Sequence, residues 1–125
     1  MASVLERPVP GATTHKIGGV TVDEVPAGSG RVKRVMYPAG WRWSTDMRPI
    51  SGTERCMHAH VGFLARGHIA IEYTDGCRVD FEAPCVVAIP PGHDGWVEGD
   101  EPAVLIQFDW SRDSVARLGI AEHRH

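Results

Sequence analysis

The chain has 125 residues, of which 42 % are hydrophobic and 23 % charged, with a formal net charge of -3. That length holds one domain and excludes a (β/α)8 barrel, or a dinucleotide-binding fold joined to a substrate domain. A near-average composition argues against wholesale disorder, and the lack of a basic excess makes nucleic acid an unexpected partner. No run of about 18 apolar residues occurs, so no transmembrane helix and no membrane partner are expected. An odd number of cysteines, 3 in all, argues against a disulfide framework and for a reducing, cytoplasmic compartment.

In chain order, residues 1–16 are expected to form an irregular lead-in, with Pro8, Pro10 and Gly11 in it and no apolar signal core. Residues 17–121 are expected to form a single domain. There 14 glycines and 9 prolines, counted over the whole chain, punctuate short apolar runs, the pattern of an all-β sandwich or barrel. The runs predict strands over 19–25, 31–37, 41–44, 56–65, 68–73, 77–82, 85–89, 95–98 and 103–110. A short C-terminal helix is expected over 112–118, capped by Ser111 and ended by Gly119. Residues 122–125, with His123 and His125, are expected to fray.

One hairpin is fixed by parity. The larger apolar residues are Ile69, Ile71 and Tyr73 on one strand and Cys77, Val79 and Phe81 on the next. Directly paired residues share a face, so odd must pair with odd. A two-residue turn at Asp75-Gly76 would pair Tyr73 with Arg78 and break that rule. A three-residue loop, Thr74-Asp75-Gly76 with Gly76 left-handed, pairs Ile71 with Val79 and sets Glu72 beside Arg78. His68 then lies on the polar face and is read as structural.

Four histidines stand mid-chain: His58, His60, His68 and His93. His58 and His60, two apart on an expected strand, project the same way, and two neutral imidazoles on one face are half of a transition-metal site. The alternative reading is an exposed polar face. Cys56 shares their parity, and so does Glu54; alone, Cys56 reads more readily as a small buried residue than as a ligand. His93 lies in Pro90-Pro91-Gly92-His93-Asp94, a rigid turn that could project a third ligand, with Asp94 able to orient a histidine from behind. By default His93 would be a surface turn residue. No nucleophile elbow and no phosphate loop are present, and no acid–base pair stands out, so whether the chain is an enzyme is left open.

The stretch from about Gly40 to Asp109 resembles the cupin superfamily, whose first motif runs Gly, His-x-His, Glu and Gly, and whose second runs Pro-x-Gly to His. His60-Val61-Gly62-Phe63 and the turn from Pro90 to Trp96 carry the likeness. Counting back from Gly67, the usual Glu position is His60, and the usual His pair falls on Glu54 and Cys56. A second register puts His58 and His60 on the His pair but loses the Glu and the closing Gly; the Arg66-Gly67 turn favours the first. In the second motif the His register falls on Gly95, with His93 two positions early.

The resemblance implies a cupin-like double-stranded β-barrel of jelly-roll type with one cavity, a divalent transition metal within it, and a homodimer. Cupins hold iron, manganese, zinc or nickel. The ligand set expected here is His60 and His93, with His58 and Cys56 as further candidates and Glu54 as the weakest. Mixed nitrogen and sulfur donors suit zinc or iron better than magnesium. Trp41, Trp43, Phe63 and Trp96 are expected at the cavity mouth. The functional expectation is metal binding with a small organic molecule, an acid or sugar-like, as ligand or substrate; the alternative is a non-enzymatic ligand-binding or structural dimeric barrel.

Overall fold

A computed structural model describes residues 4–109; the helix expected over 112–118, the tail 122–125 and Trp110 lie outside the described residues. After a 3-10 turn at Val4–Glu6, the chain forms β1 (Thr13–Ile17), β2 (Val20–Ala27), β3 (Gly30–Tyr37), α1 (Trp43–Asp46), α2 (Arg48–Ser51), β4 (His60–Arg66), β5 (His68–Tyr73), β6 (Arg78–Glu82), β7 (Cys85–Ile89), β8 (His93–Val97) and β9 (Ala103–Asp109). The strands make two antiparallel sheets, ordered β1-β2-β3-β9-β4-β7 and β6-β5-β8. No helix among the described residues is long and apolar enough to cross a membrane.

Period-two alternation turns one face of each sheet toward the other. From the six-stranded sheet Val20, Val22, Val35, Leu64, Val87 and Leu105 are buried, and from the three-stranded sheet Ile69, Ile71 and Val97. Each fully buried aliphatic side chain contributes roughly 1.5–3 kcal/mol, so this shared interior is what holds the sheets face to face. β4 can lie against β9 only because residue 62 is glycine: a Cβ there would meet the Ile106 carbonyl oxygen at 1.9 Å.

The β5–β6 hairpin has the expected register, with Ile71 opposite Val79 and Glu72 opposite Arg78. Gly76 takes φ 83°, its N–H donates to the Tyr73 carbonyl at 2.9 Å, and the Asp75 carboxylate accepts from the Cys77 N–H at 2.8 Å. His68 faces outward and meets Asp80 at 2.7 Å.

Four expectations need correction. The lead-in is not wholly irregular, because Thr13–Ile17 pairs along β2 as β1. This edge strand is exposed throughout, so it carries no apolar alternation to announce it. The strand expected over 41–44 is instead a bridge at Arg42 followed by α1. The Asp46 carboxylate accepts from the Arg42 N–H at 2.9 Å, and Asp94 accepts from the Ser44 N–H at 3.0 Å, which turns the chain into a helix. The strand expected from 56 starts at His60, with Cys56 joined to the sheet by one bridge to His93. The strand expected from 95 starts at His93, so His93 is not a surface turn residue; it is 3 % exposed.

Candidate metal centre

Cys56, His60 and His93 come together because backbone bonds lash three segments at one end of the interior. The Cys56 N–H donates to the His93 carbonyl at 2.7 Å, and the Cys56 carbonyl accepts from the Gly92 N–H at 2.7 Å. His60 opens β4 opposite Ile89 of β7, and the Pro90-Pro91-Gly92 turn returns the chain to His93 within reach of it. The His60 and His93 ring centroids are 5.2 Å apart.

One donor atom from each of the three residues can be chosen so that all lie within 4.8 Å of one another. Cys56 Sγ is 3.7 Å from His60 Nε2. Ligands at ordinary zinc distances in a tetrahedron stand roughly 3.3–3.6 Å apart, so the cluster is close to a coordination sphere already.

The ring tautomers are set from behind. His60 Nδ1 lies 2.7 Å from the Gln107 side-chain oxygen, which can only accept, so Nδ1 carries the proton and Nε2 keeps its lone pair. His93 Nδ1 donates to the Pro90 carbonyl at 2.9 Å, which leaves its Nε2 free in the same way. Burial, then the neighbouring His93 and His58, push the His60 pKa down to about 3. Burial also lowers His93 and raises the Cys56 thiol. Both imidazoles are therefore neutral at pH 7, the form that binds metals, and the thiol would release its proton on binding one.

His58 lies beside this group but outside it. Its ring centroid is 5.1 Å from that of His60; its Nε2 accepts from the Gln107 amide at 3.0 Å and stands 3.4 Å from Asp109. Glu54 is excluded: its side chain is 94 % exposed and turned toward Arg48. Asp94 does not orient a histidine, since its carboxylate holds the Ser44 N–H and the Arg42 guanidinium. Trp41 and Trp43 do line the cavity. Phe63 faces outward on β4, and Trp96 lies between the Arg42 and Arg78 guanidinia at 4.3 and 5.2 Å, so neither belongs to the mouth. Gln107 is the site residue that sequence reasoning missed; the available signal is a polar residue within the otherwise apolar run of β9.

The three residues open onto a cavity of about 900 Å³ between the sheets, walled by Val20, Val35, Ile69, Ile71 and Leu105 and bordered by the α1–α2 segment at Met47 and Ser51. No sequence-family model matches the chain, and no curated protein matches it. Solved structures do. A Cupin 2 conserved barrel domain protein from Salinispora arenicola is 19 % identical at a TM-score of 0.58, over 90 % of this chain and 93 % of that one. The Cnp3 cupin domain of Schizosaccharomyces pombe is 14 % identical at 0.54, over 90 % of this chain and 79 % of that one. A cupin-like protein from Thermotoga maritima is 16 % identical at 0.51, over 75 % and 70 %. The chain has the cupin fold.

His93 and Gly95 stand two apart on β8, a spacing that keeps the same face, and both line the cavity. Cys56 and His60 line it as well.

Proposed function

We propose that this cupin-fold protein binds a divalent transition metal through Cys56, His60 and His93, with His58 beside them, and holds a small organic molecule in the adjoining cavity. One observation carries the reading: two imidazoles whose Nδ1 protons are fixed by Gln107 and Pro90 present unprotonated Nε2 atoms beside a buried thiol. Two nitrogens and one sulfur favour zinc or iron, with manganese and nickel behind them. A bound ion would supply Lewis acidity toward an oxygen of the ligand, with positions left open by a three-residue set. The protein's own part is to hold the imidazoles in register, keep them neutral, and offer the ligand a largely apolar wall.

Binding without turnover is the second reading, and one feature favours it. Among the described residues the only carboxylate lining the cavity is Asp109, and Lys33 holds it at 2.6 Å. A ready general base is thus missing from the carboxylates. Metal analysis of protein purified without a histidine tag tests the main reading. Near-stoichiometric zinc or iron, abolished by His60→Ala, is expected; occupancy below about a tenth, unmoved by that substitution, contradicts it.

A reducing, cytoplasmic setting fits the three free cysteines. A homodimer fits an apolar stripe near the β7 edge, where Val86 is 77 % exposed and lies opposite Phe63, 42 % exposed. A monomer mass by light scattering contradicts the dimer.

A further inference from the structure

Two residues of the cavity lining carry hydrogen-bond donors with nothing to donate to. Tyr37 is 8 % exposed and Trp43 5 %, and both line the cavity. Among the described residues, neither the Tyr37 hydroxyl nor the Trp43 indole N–H makes a hydrogen bond. The other described tryptophans are satisfied: Trp41 Nε1 donates to the Gly18 carbonyl at 2.7 Å, and Trp96 Nε1 to Glu98 at 2.7 Å. Buried donors in native proteins almost always find an acceptor, and a tryptophan N–H can do nothing else. Tyr37 and Trp43 line the same cavity as Cys56, His60 and His93.

Much of the remaining lining is apolar, from Val20, Val22, Val35, Ile69, Ile71 and Leu105. A polyol such as a sugar would leave most of its hydroxyls unpaired against such a surface, and an ammonium group could accept from neither Tyr37 nor Trp43. We infer that Tyr37 and Trp43 are ligand-contacting residues, and that the cavity takes a small molecule with an apolar body and acceptor oxygens, a carboxylate or a ketone. This rests on the proposed ligand-binding role of the cavity, but not on the metal. Water that fills the cavity would pair with these donors until a ligand brings its own oxygens and releases it.

The test uses four probes of one shape on the full chain after chelation: 3-phenylpropanoate, 4-phenylbutan-2-one, 3-phenylpropylamine and propylbenzene, with binding followed by calorimetry. The oxygen-bearing probes are expected to bind at least about fivefold more tightly than the amine or the hydrocarbon, the size of one hydrogen bond. Comparison of the acid with the ketone shows which oxygen chemistry is preferred. Tyr37→Phe should weaken the oxygen-bearing probes about five- to tenfold and leave propylbenzene within about twofold. Trp43→Phe is the second variant, read the same way should Tyr37→Phe fail to fold by circular dichroism. Equal loss for all four probes, no preference for oxygen, or no binding at all overturns the inference. Repeating the titration on metal-loaded protein separates the two claims: an intact Tyr37 effect with no gain from metal would count against the metal centre alone.

Discussion

Two clusters of buried polar groups lie on opposite faces of the six-stranded sheet, and they differ in one respect. On the outer face Arg34 donates through Nε and Nη2 to Asp23 at 3.0 and 2.7 Å, and through Nη1 to the carbonyls of Leu5 and Arg7. Thr14 adds a bond to the other Asp23 oxygen. Every charge there meets its opposite, and the N-terminal segment is tied down in the process. On the inner face Cys56, His60 and His93 have their outer nitrogens satisfied and their inner donor atoms aimed at one another. The first cluster is saturated by strong, charge-assisted bonds. The second is held by one weak contact, 3.7 Å between the Cys56 thiol and His60 Nε2, which a cation would replace with stronger bonds under the proposed function.

The largest effect expected from this contrast is on stability at the outer cluster. Arg34→Met leaves the Asp23 carboxylate buried and unpaired, and should cost about 3–5 kcal/mol by urea unfolding. Metal-free His60→Ala should lose less, because no charge partner is orphaned. A loss under about 1 kcal/mol for Arg34→Met would erase the distinction.

Next in size is Gln107→Leu. It removes the acceptor that fixes the His60 tautomer while keeping the side chain's bulk, and should weaken metal binding about 10- to 100-fold. An unchanged affinity by competition titration would show that Gln107 does not position the ring.

The smallest effect concerns pH. Burial raises the Asp23 carboxyl, but hydrogen bonds from Thr14 and Arg34 and the Arg34 charge outweigh it and hold the group below its ordinary 3.8. Its contribution is therefore fully present above pH 3.8 and lost as pH falls through the lower folded value. Asp23→Asn should flatten the acid limb of the stability profile; an unaltered limb would place the acid sensitivity elsewhere.

Much of this architecture is legible in the sequence where alternation is strong. The 68–82 hairpin follows from parity and one glycine, and its register is as expected. β1 is not legible, because an edge strand exposed throughout needs no apolar face. α1 is hidden for a different reason: Trp41 and Trp43 mimic a strand pair, while the Asp94 carboxylate that receives the Ser44 N–H lies 50 residues away. Cys56, His60 and His93 are visible as residue types, yet their meeting depends on long-range bonds such as the Cys56–His93 bridge. Gln107 is invisible for the same reason, being 47 residues from the ring it orients.

The most direct test is a crystal of tag-free protein soaked in zinc, with diffraction collected on both sides of the zinc absorption edge. The account predicts one strong anomalous peak bounded by Cys56 Sγ, His60 Nε2 and His93 Nε2. A map with no peak there, or with density only at the C-terminal histidines, would contradict it.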